Sequence, residues 1–335
     1  MNAQADPDVR TRQLASAEVR IGTSVIGFDH PIFAGVAAHC GLVSDTHGQV
    51  NARLNTMSDD LSVHFVTQTD ALLADGLHYE ERIARRGLVA TRDRSTHDLF
   101  NAMIWLEHTA LKRAMNARQV ADIARVGPKQ RTRGQCALTH FDEAGAIVWL
   151  ASDELLDAWN RHDWARLFAK NRSAWGERIA VTVIGHALLD YAAIHGEMPV
   201  AKALAVMVDR SVIVSRNRAV HIASWASAER SIAHAIVTGR CLADPQELRP
   251  LPLAGIPGWS AGAEREDFYA RAPCFRPLRP GRHYPAPLTF VFASDTHANA
   301  HGLAADRGHH ADTSRSAVSR ANAAVRGRRK SAFLR

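Results

Sequence analysis

The chain has 335 residues, of which 46% are hydrophobic and 22% charged, a balance that excludes a wholly disordered protein. Its net charge of +7 belongs to the C-terminal end, because residues 271–335 carry 12 Lys and Arg against three acidic residues. Residues 1–270 have a net charge of −2, so the high pI does not indicate a basic folded body that would attract nucleic acid.

No export signal or membrane span is predicted. Residues 1–20 are polar and charged, which predicts a loose leader and not a signal peptide. The longest apolar stretch, residues 180–194, is interrupted by polar residues and falls short of the roughly 20 residues that a bilayer span needs. The four cysteines are far apart and form no CxxC pair, a pattern typical of reduced thiols. We therefore expect a cytoplasmic protein without a membrane partner.

Residues 21–280 are expected to form a single α+β domain that is mainly helical. Apolar periodicity predicts the helices, and the segment 78–86 also has the usual C-terminal glycine, Gly87. The β-branched segment 62–67 predicts a strand, and residues 201–214 suit a strand and a helix equally well. Helical stretches are predicted at 30–41, 78–86, 96–125 (one helix or two in series), 153–160, 163–170, 178–195 and 218–238.

A small antiparallel hairpin is predicted at 137–150, where two alternating segments flank the acidic turn 142–145. Residues 245–257 are rich in Pro and Gly but also carry large apolar side chains, which predicts an irregular strap packed on the body. From Gly281 the chain has little periodicity, so residues 281–335 are expected to be a disordered basic tail.

The predicted helix at 96–125 carries the densest set of reactive side chains. On one unbroken helix, His97, Asn101, His108 and Lys112 would lie within about 60° of one another, opposite an apolar face. A binding or catalytic surface has this pattern, although a solvated helix face produces it more often. Thr96 also suits a helix N-cap.

Three further candidates lie outside that helix. Asp142 and Glu143 are adjacent carboxylates, which can hold a divalent metal or share acid and base roles, although exposed turns also contain such pairs. His186 lies in a predicted apolar helix, where a lone histidine is more often a buried structural residue. Gly185 beside it would let another backbone approach closely. No GxGxxG, Walker or HExxH motif is present.

Short segments follow one another between residues 60 and 280 in a recognisable order. They are YEERI (79–83), TR (91–92), HDLFNA (97–102), Lys112 with Asn116, ALT (137–139), FDE (141–143), GHALL (185–189), PLAGIPGW (252–259) and FRP (275–277). In this order they resemble a bacterial domain-of-unknown-function family, the one numbered 3025, which has no assigned reaction. The resemblance implies that the family's recurring polar positions share a site. Here they are His97, Asp98, Asn101, Asp142, Glu143 and His186.

Some positions depart from the family pattern. Thr96 stands where the resemblance implies tryptophan, and Cys136 stands where it implies an acidic residue. A proline implied near His108 and Thr109 is also absent. If the missing acid served as a metal ligand or a base, the activity of this copy would be weakened.

The leading expectation is a metal-assisted hydrolase. His97, Asp98 and His186 would bind one divalent metal, and ligands of these types suit Zn, Mn or Fe without choosing among them. Asp142 or Glu143 would act as a further ligand or as the base that activates water.

Asn101, Lys112 and Asn116 would hold an anionic substrate such as a phosphoester. Two alternatives stay open at this point. The polar groups can form a buried structural network in a non-catalytic binding or assembly protein. The tail at 281–335 can bind nucleic acid, and such binding would depend steeply on salt.

Overall fold

The computed structural model of the protein describes residues 27–44, 49–58, 63–217, 222–263, 265 and 267–290. Helices predominate over strands in these residues, and the mixed α+β class predicted from the sequence is confirmed. None of the helices in these residues is long and apolar enough to cross a membrane. The predicted leader at 1–20 lies outside the described residues.

The α-helices of the described residues range in length from 4 to 18 residues. The α-helices are α1 (Val50–Met57), α2 (Asp70–Leu73), α3 (Tyr79–Arg86), α4 (Thr96–Glu107), α5 (Thr109–Val126), α6 (Arg133–Ala144), α7 (Asp153–Asn160), α8 (His186–His195), α9 (Arg210–Asn217), α10 (Ile222–Val237) and α11 (Phe268–Arg271). A π-helical turn spans Ala165–Lys170, and 3-10 turns span Pro31–Phe33, Ala37–Leu42, Arg172–Ala174, Pro245–Glu247 and Leu253–Gly255. The predicted helix at 30–41 is therefore wrong, since that stretch contains only two 3-10 turns.

The strands form two sheets within the described residues. They are β1 (His64–Thr67), β2 (Leu88–Thr91), β3 (Gly145–Leu150), β4 (Ile179–Val183), β5 (Val200–Met207), β6 (Arg249–Pro252) and β7 (Leu288–Thr289). β1 pairs in parallel with β2, and the larger sheet has the order β4-β3-β5-β6 with β7 also on β5. β3 runs parallel to β5 and antiparallel to β4. All six residues of β3 are buried, as expected of a central strand covered on both faces.

The predicted hairpin at 137–150 is wrong. Residues up to Ala144 end helix α6, and residues 145–150 form β3, which pairs with distant strands. Thr132 and Gln135 form a capping box that begins α6, and this reciprocal bonding stabilises the first helical turn. The acidic segment that resembled a turn is therefore the last turn of a helix.

The predicted helix at 178–195 is also wrong in its first half. β4 occupies its first residues, because Ile179 to Val183 complete the pairing of β3, and Gly185 is the N-cap of α8. His186 is therefore the first residue of a helix and does not lie in its middle. The long stretch at 96–125 is two helices, which meet at His108, so the unbroken polar stripe does not exist.

The structure defines three other stretches of the chain. Residues 201–214, left open above, form most of β5 and the start of α9. The Pro-rich segment 245–257 contains β6, whose Pro250 and Pro252 suit an edge strand because proline donates no ladder hydrogen bond. The predicted tail boundary at Gly281 is too early, since β7 pairs with β5. Residues 291–335 lie outside the described residues.

Arg249 explains why the segment after Gly281 belongs to the body. Its guanidinium is 2% exposed and donates to the Asn160 side chain at 2.7 Å and to the Pro285 carbonyl. It also lies over the ring of Tyr284, with 5.1 Å between the guanidinium carbon and the ring centroid. Burial lowers the pKa of Arg249 to about 10, so it stays charged at neutral pH and needs these partners.

We predict that deleting residues 283–335 destabilises the protein more than deleting residues 293–335. The longer deletion removes Tyr284, Pro285 and β7, and it strands a buried guanidinium donor at a cost of about 1–3 kcal/mol. Thermal melting of the two truncated chains should differ by several degrees. Equal melting temperatures would contradict the role given to this segment.

Candidate functional site

A cavity of about 340 Å³ lies between helices α3, α4, α5 and α6 and the beginning of α8. It is lined by all eight residues that the sequence singled out for chemistry. These are His97, Asp98, Asn101, Lys112, Asn116, Asp142, Glu143 and His186. Since they come from four helices, the tertiary fold and not local sequence brings them together.

Three of these side chains converge on one point. The Nε2 atoms of His97 and His186 are 3.0 Å apart, and Glu143 Oε2 lies 3.7 Å from the first and 3.6 Å from the second. These residues form the metal-compatible cluster found among the described residues. We call His97, Glu143 and His186 the donor triad.

The donor triad has the right size for a metal ion. A triangle with these three sides has a circumscribed radius of about 2.0 Å, which is also a typical length for zinc–nitrogen and zinc–oxygen bonds. One ion could therefore contact all three donor atoms without any of them moving. Four-coordinate catalytic sites commonly have three protein ligands and one position open to water or substrate.

Gly185 makes this convergence possible. A Cβ atom at Gly185 would lie 2.4 Å from the Gly145 nitrogen and 2.5 Å from the Glu143 carbonyl oxygen. The amide groups of Ile184 and Gly185 both donate to the Gly145 carbonyl, at 3.0 and 2.8 Å. The junction between α6 and β3 thus touches the junction between β4 and α8, which places Glu143 beside His186. The close backbone approach expected at Gly185 is present.

Asp98, predicted as a metal ligand, lies outside the donor triad. Its carboxylate accepts two hydrogen bonds from the Arg92 side chain, at 2.9 and 2.8 Å, and one from the Arg92 backbone at 2.6 Å. Neighbouring residues on a helix point about 100° apart, so Asp98 cannot face the point that His97 faces. Glu143, and not Asp98, is therefore the carboxylate that lies beside the two histidines.

Sequence reasoning missed Asp190. Its carboxylate accepts a hydrogen bond from Thr96 Oγ1 at 2.6 Å and lies 3.7 Å from His97 Nδ1. That distance is long for a hydrogen bond but suits an ion pair. Metal-binding histidines usually have such a carboxylate at the second ring nitrogen. The spacing of His186 and Asp190, four residues apart on one helix face, is the sequence feature that could have revealed it.

The pKa values of the two histidines of the donor triad are shifted in opposite directions. Contact with Asp190, followed by the charge of Glu143, raises the pKa of His97 above its usual value. Burial lowers the pKa of His186 to about 4, and its Nδ1 is buried without a hydrogen-bond partner among the described residues. At neutral pH His186 therefore offers an unprotonated nitrogen to the cavity.

The predicted substrate-binding residues already have hydrogen-bond partners among the residues that line the cavity. Lys112, 4% exposed, donates to Asn101 Oδ1 at 2.8 Å and to Asp142. Burial would raise the pKa of Asp142, but the charge of Lys112 holds it below its usual value. Asn116 donates to the Glu80 carboxyl at 2.6 Å, and burial raises the pKa of Glu80.

The positions that depart from the family pattern lie either away from the cavity lining or next to the donor triad. His108 is buried away from the cavity lining and contacts Glu229 through Nδ1 at 3.2 Å. Cys136 is on α6 but is not among the described residues that line the cavity. Thr96 contacts Asp190, next to the donor triad. The substitution at Cys136 therefore removes no group from the cavity wall itself.

Residues 63–279 match the family described as Protein of unknown function (DUF3025), and the chain belongs to this family. The resemblance inferred from the order of its segments is confirmed. No curated protein and no solved structure matches the chain. Since the family description names no reaction, the function has to be argued from the chemistry of the cavity.

We predict that Gly185→Ala separates Glu143 from His186. The added methyl group would overlap backbone atoms, and such overpacking costs about 1–3 kcal/mol. Thermal melting and metal titration of the variant should both show a loss relative to the parent.

Gly41→Ala is the matched control, because a Cβ at Gly41 meets nothing within 4 Å. Unchanged melting and metal binding in Gly185→Ala would show that the close approach is not needed.

Proposed function

We propose that this member of the family is a metal-assisted hydrolase acting on an anionic substrate such as a phosphoester. The observation that carries the proposal is the convergence of three donor atoms from α4, α6 and α8. His97, Glu143 and His186 lie far apart in the chain, so surface composition gives no reason for them to meet. Their spacing fits a single divalent ion.

The donor set suits Zn, Mn or Fe, because two imidazoles and one carboxylate are acceptable ligands for each of these metals. A metal held there would polarise a substrate oxygen and acidify a water molecule. The side chains of His97 and Glu143 are 33% and 46% exposed, whereas His186 is only 4% exposed. The buried histidine thus forms the floor of the site, and the other two ligands border its opening.

Other residues of the cavity would serve the substrate and the water. Asp142 is ionised and lies next to Glu143 on α6, where it can accept a proton or orient water. Lys112 has three N–H donors, and its bonds to Asn101 and Asp142 leave one for a substrate oxygen. Asn101 and Asn116 would hold the uncharged parts of the substrate.

One observation favours a non-catalytic alternative. A distance of 3.0 Å between two imidazole nitrogens is also the length of an ordinary hydrogen bond. With the pKa of His97 raised and that of His186 lowered, a protonated His97 can donate a hydrogen bond to the neutral His186 without any metal. The cluster would then be a structural polar network within a binding or assembly protein.

Two further parts of the proposal do not involve the cavity. Nucleic-acid binding through residues 281–335 is proposed only as a third function, on the strength of their basic composition. A cytoplasmic location is proposed from the spacing of the cysteines. Binding that persists in a chain ending at residue 290, or secretion of the protein, would contradict these two proposals respectively.

We predict about one divalent metal ion per chain in the purified protein, measured by elemental analysis. His97→Ala and His186→Ala should each lose the metal, and Glu143→Gln should bind it more weakly. Asp98→Asn should keep the metal, because Asp98 is held by Arg92 and not by the donor triad. His195→Ala is the control for an exposed histidine.

The structural alternative predicts the opposite result. Removing a buried histidine from a hydrogen-bonded network costs about 1–3 kcal/mol of stability and leaves no metal to lose. A parent protein without bound metal, together with early melting of His186→Ala, would eliminate the hydrolase proposal and leave the structural network.

Metal affinity should fall as the pH is lowered, because the metal competes with a proton on His97. The raised pKa of His97 means that this competition begins above the usual value for histidine, and affinity should then drop about tenfold per pH unit. His186, with a pKa of about 4, does not add to the slope near neutrality. Zinc titrations between pH 5 and 8, which span the usual histidine range, would measure this pH dependence of the metal affinity. An affinity that does not change with pH would contradict metal binding by His97.

A further inference from the structure

We propose that the reacting group of the substrate carries a single negative charge, as a phosphodiester does, and that the cavity disfavours a doubly charged phosphomonoester. This inference rests on the proposed function and specifies its substrate class. It follows from the charges that line the cavity, from the partners that already hold those charges, and from the amide and apolar side chains that line the cavity along α5.

Acidic side chains outnumber basic ones around the cavity. Apart from the two histidines of the donor triad, which must be uncharged to bind a metal, the basic residues among the described residues that line it are Arg92 and Lys112. The acidic ones are Glu80, Asp98, Asp142 and Glu143. The lining therefore brings no surplus of positive charge of its own to a substrate. A site made for a dianion usually offers a free guanidinium fork or several unpaired cations.

Both cations of the lining are already neutralised. The Arg92 guanidinium donates hydrogen bonds to both carboxylate oxygens of Asp98, and Lys112 pairs with Asp142. Once these two pairs are set aside, Glu143 and Glu80 remain. Burial raises the pKa of Glu80 and so favours its neutral form. Glu143, a member of the donor triad, is then the acidic charge that neither of these two pairs neutralises.

A divalent ion bound by the donor triad would therefore leave a local charge of about +1 after Glu143 is counted. One negative charge on the substrate balances it. A second negative charge would be held without a counterion in a partly buried site, which is costly. An ionised Glu80 would disfavour a dianion even more.

One cation near the cavity does not change this balance. Arg131 donates to Thr139, a residue of the cavity lining, but its own side chain is exposed. Water and salt screen an exposed charge strongly. Arg131 can attract an anion towards the opening, but it cannot neutralise a charge at the donor triad.

The cavity also has room for an uncharged organic group. Lys112, Asn116 and Gln119 line it from one face of α5, at spacings of four and three residues that span about 10 Å. Ile83 and Met115 add apolar wall there, and Trp105 Nε1 is buried without a partner among the described residues. One organic group of a diester can lie along these α5 side chains, and the other can point to solvent.

Conversion of a diester to a monoester would also favour release of the product from the cavity. The oxygen of water bonds to phosphorus, one phosphorus–oxygen bond to an organic arm breaks, and the departing alkoxide takes a proton. The phosphomonoester product has a second ionisable oxygen with a pKa near 6. At neutral pH it therefore becomes a dianion, the charge state that this cavity disfavours.

The test compares two substrates of full-length protein loaded with one metal ion per chain. At pH 8, bis(p-nitrophenyl) phosphate carries one charge and p-nitrophenyl phosphate carries two. We expect kcat/KM for the diester to exceed that for the monoester by about tenfold or more. Equal or higher kcat/KM for the monoester, or chelator-sensitive cleavage of neutral p-nitrophenyl acetate alone, would overturn the inference.

Two variants test whether charge sets the preference, and the readout is the ratio of monoester to diester cleavage because a general loss of rate cancels in it. Asp142→Asn frees Lys112, which is 4% exposed, and should raise the ratio. Asp98→Asn frees Arg92, whose side chain is 59% exposed, so solvent screens the added charge and the ratio should rise less. Asp157→Asn, a half-exposed acid paired with Arg161, is the matched control and should leave the ratio unchanged. A ratio unchanged in Asp142→Asn would overturn the charge argument.

Failure of this inference differs from failure of the proposed function. A protein that holds a metal and cleaves the monoester faster, in a chelator-sensitive way, remains a metal-assisted hydrolase of phosphoesters, and only the substrate class is wrong. A protein without bound metal that cleaves neither ester loses both the proposed function and the inference.

Discussion

The backbone at Gly185 lies so close to the end of helix α6 that no side chain fits between them. Two chain reversals meet at this point, one from α6 into β3 and the other from β4 into α8, and the Gly145 carbonyl accepts hydrogen bonds from both Ile184 and Gly185. Because β3 and β4 are neighbours in the sheet, the contact is part of the sheet's own pairing. Glu143 and His186 are side by side for that reason, and the donor triad depends on it.

Charge neutralisation is the second constraint on the cavity. Lys112 is buried and bonds to Asp142 and Asn101, so the pair of Lys112 and Asp142 adds no net charge to the cavity. The proposed preference for a singly charged substrate depends on this pairing. In the donor triad the pKa of His97 is raised and that of His186 is lowered, so His97 is the imidazole that is more easily protonated.

The polar residues that line the cavity could be predicted, but their arrangement could not. His97, Glu143 and His186 were all candidates because of their residue types and the order of their segments. Asp98 was predicted as a ligand and Glu143 as a ligand or base, and only the structure places Glu143 beside the two histidines and Asp98 on Arg92. The capping box at Thr132 and Gln135 begins helix α6, where the sequence had predicted the first strand of a hairpin. Asp190 was missed because its partner His97 is distant in the sequence.

By itself, the sequence determined the α+β class, helices α3 and α7, strand β1 at His64–Thr67 and the set of polar residues that line the cavity. These features depend on local periodicity, capping and residue type, which operate within a few residues. The tertiary structure alone decided that residues 145–150 and 179–183 pair as neighbouring strands, that His186 begins a helix, and that Asp98 pairs with Arg92. Strand pairing and ion pairing join residues far apart in the chain, so their energies depend on contacts that no local pattern contains.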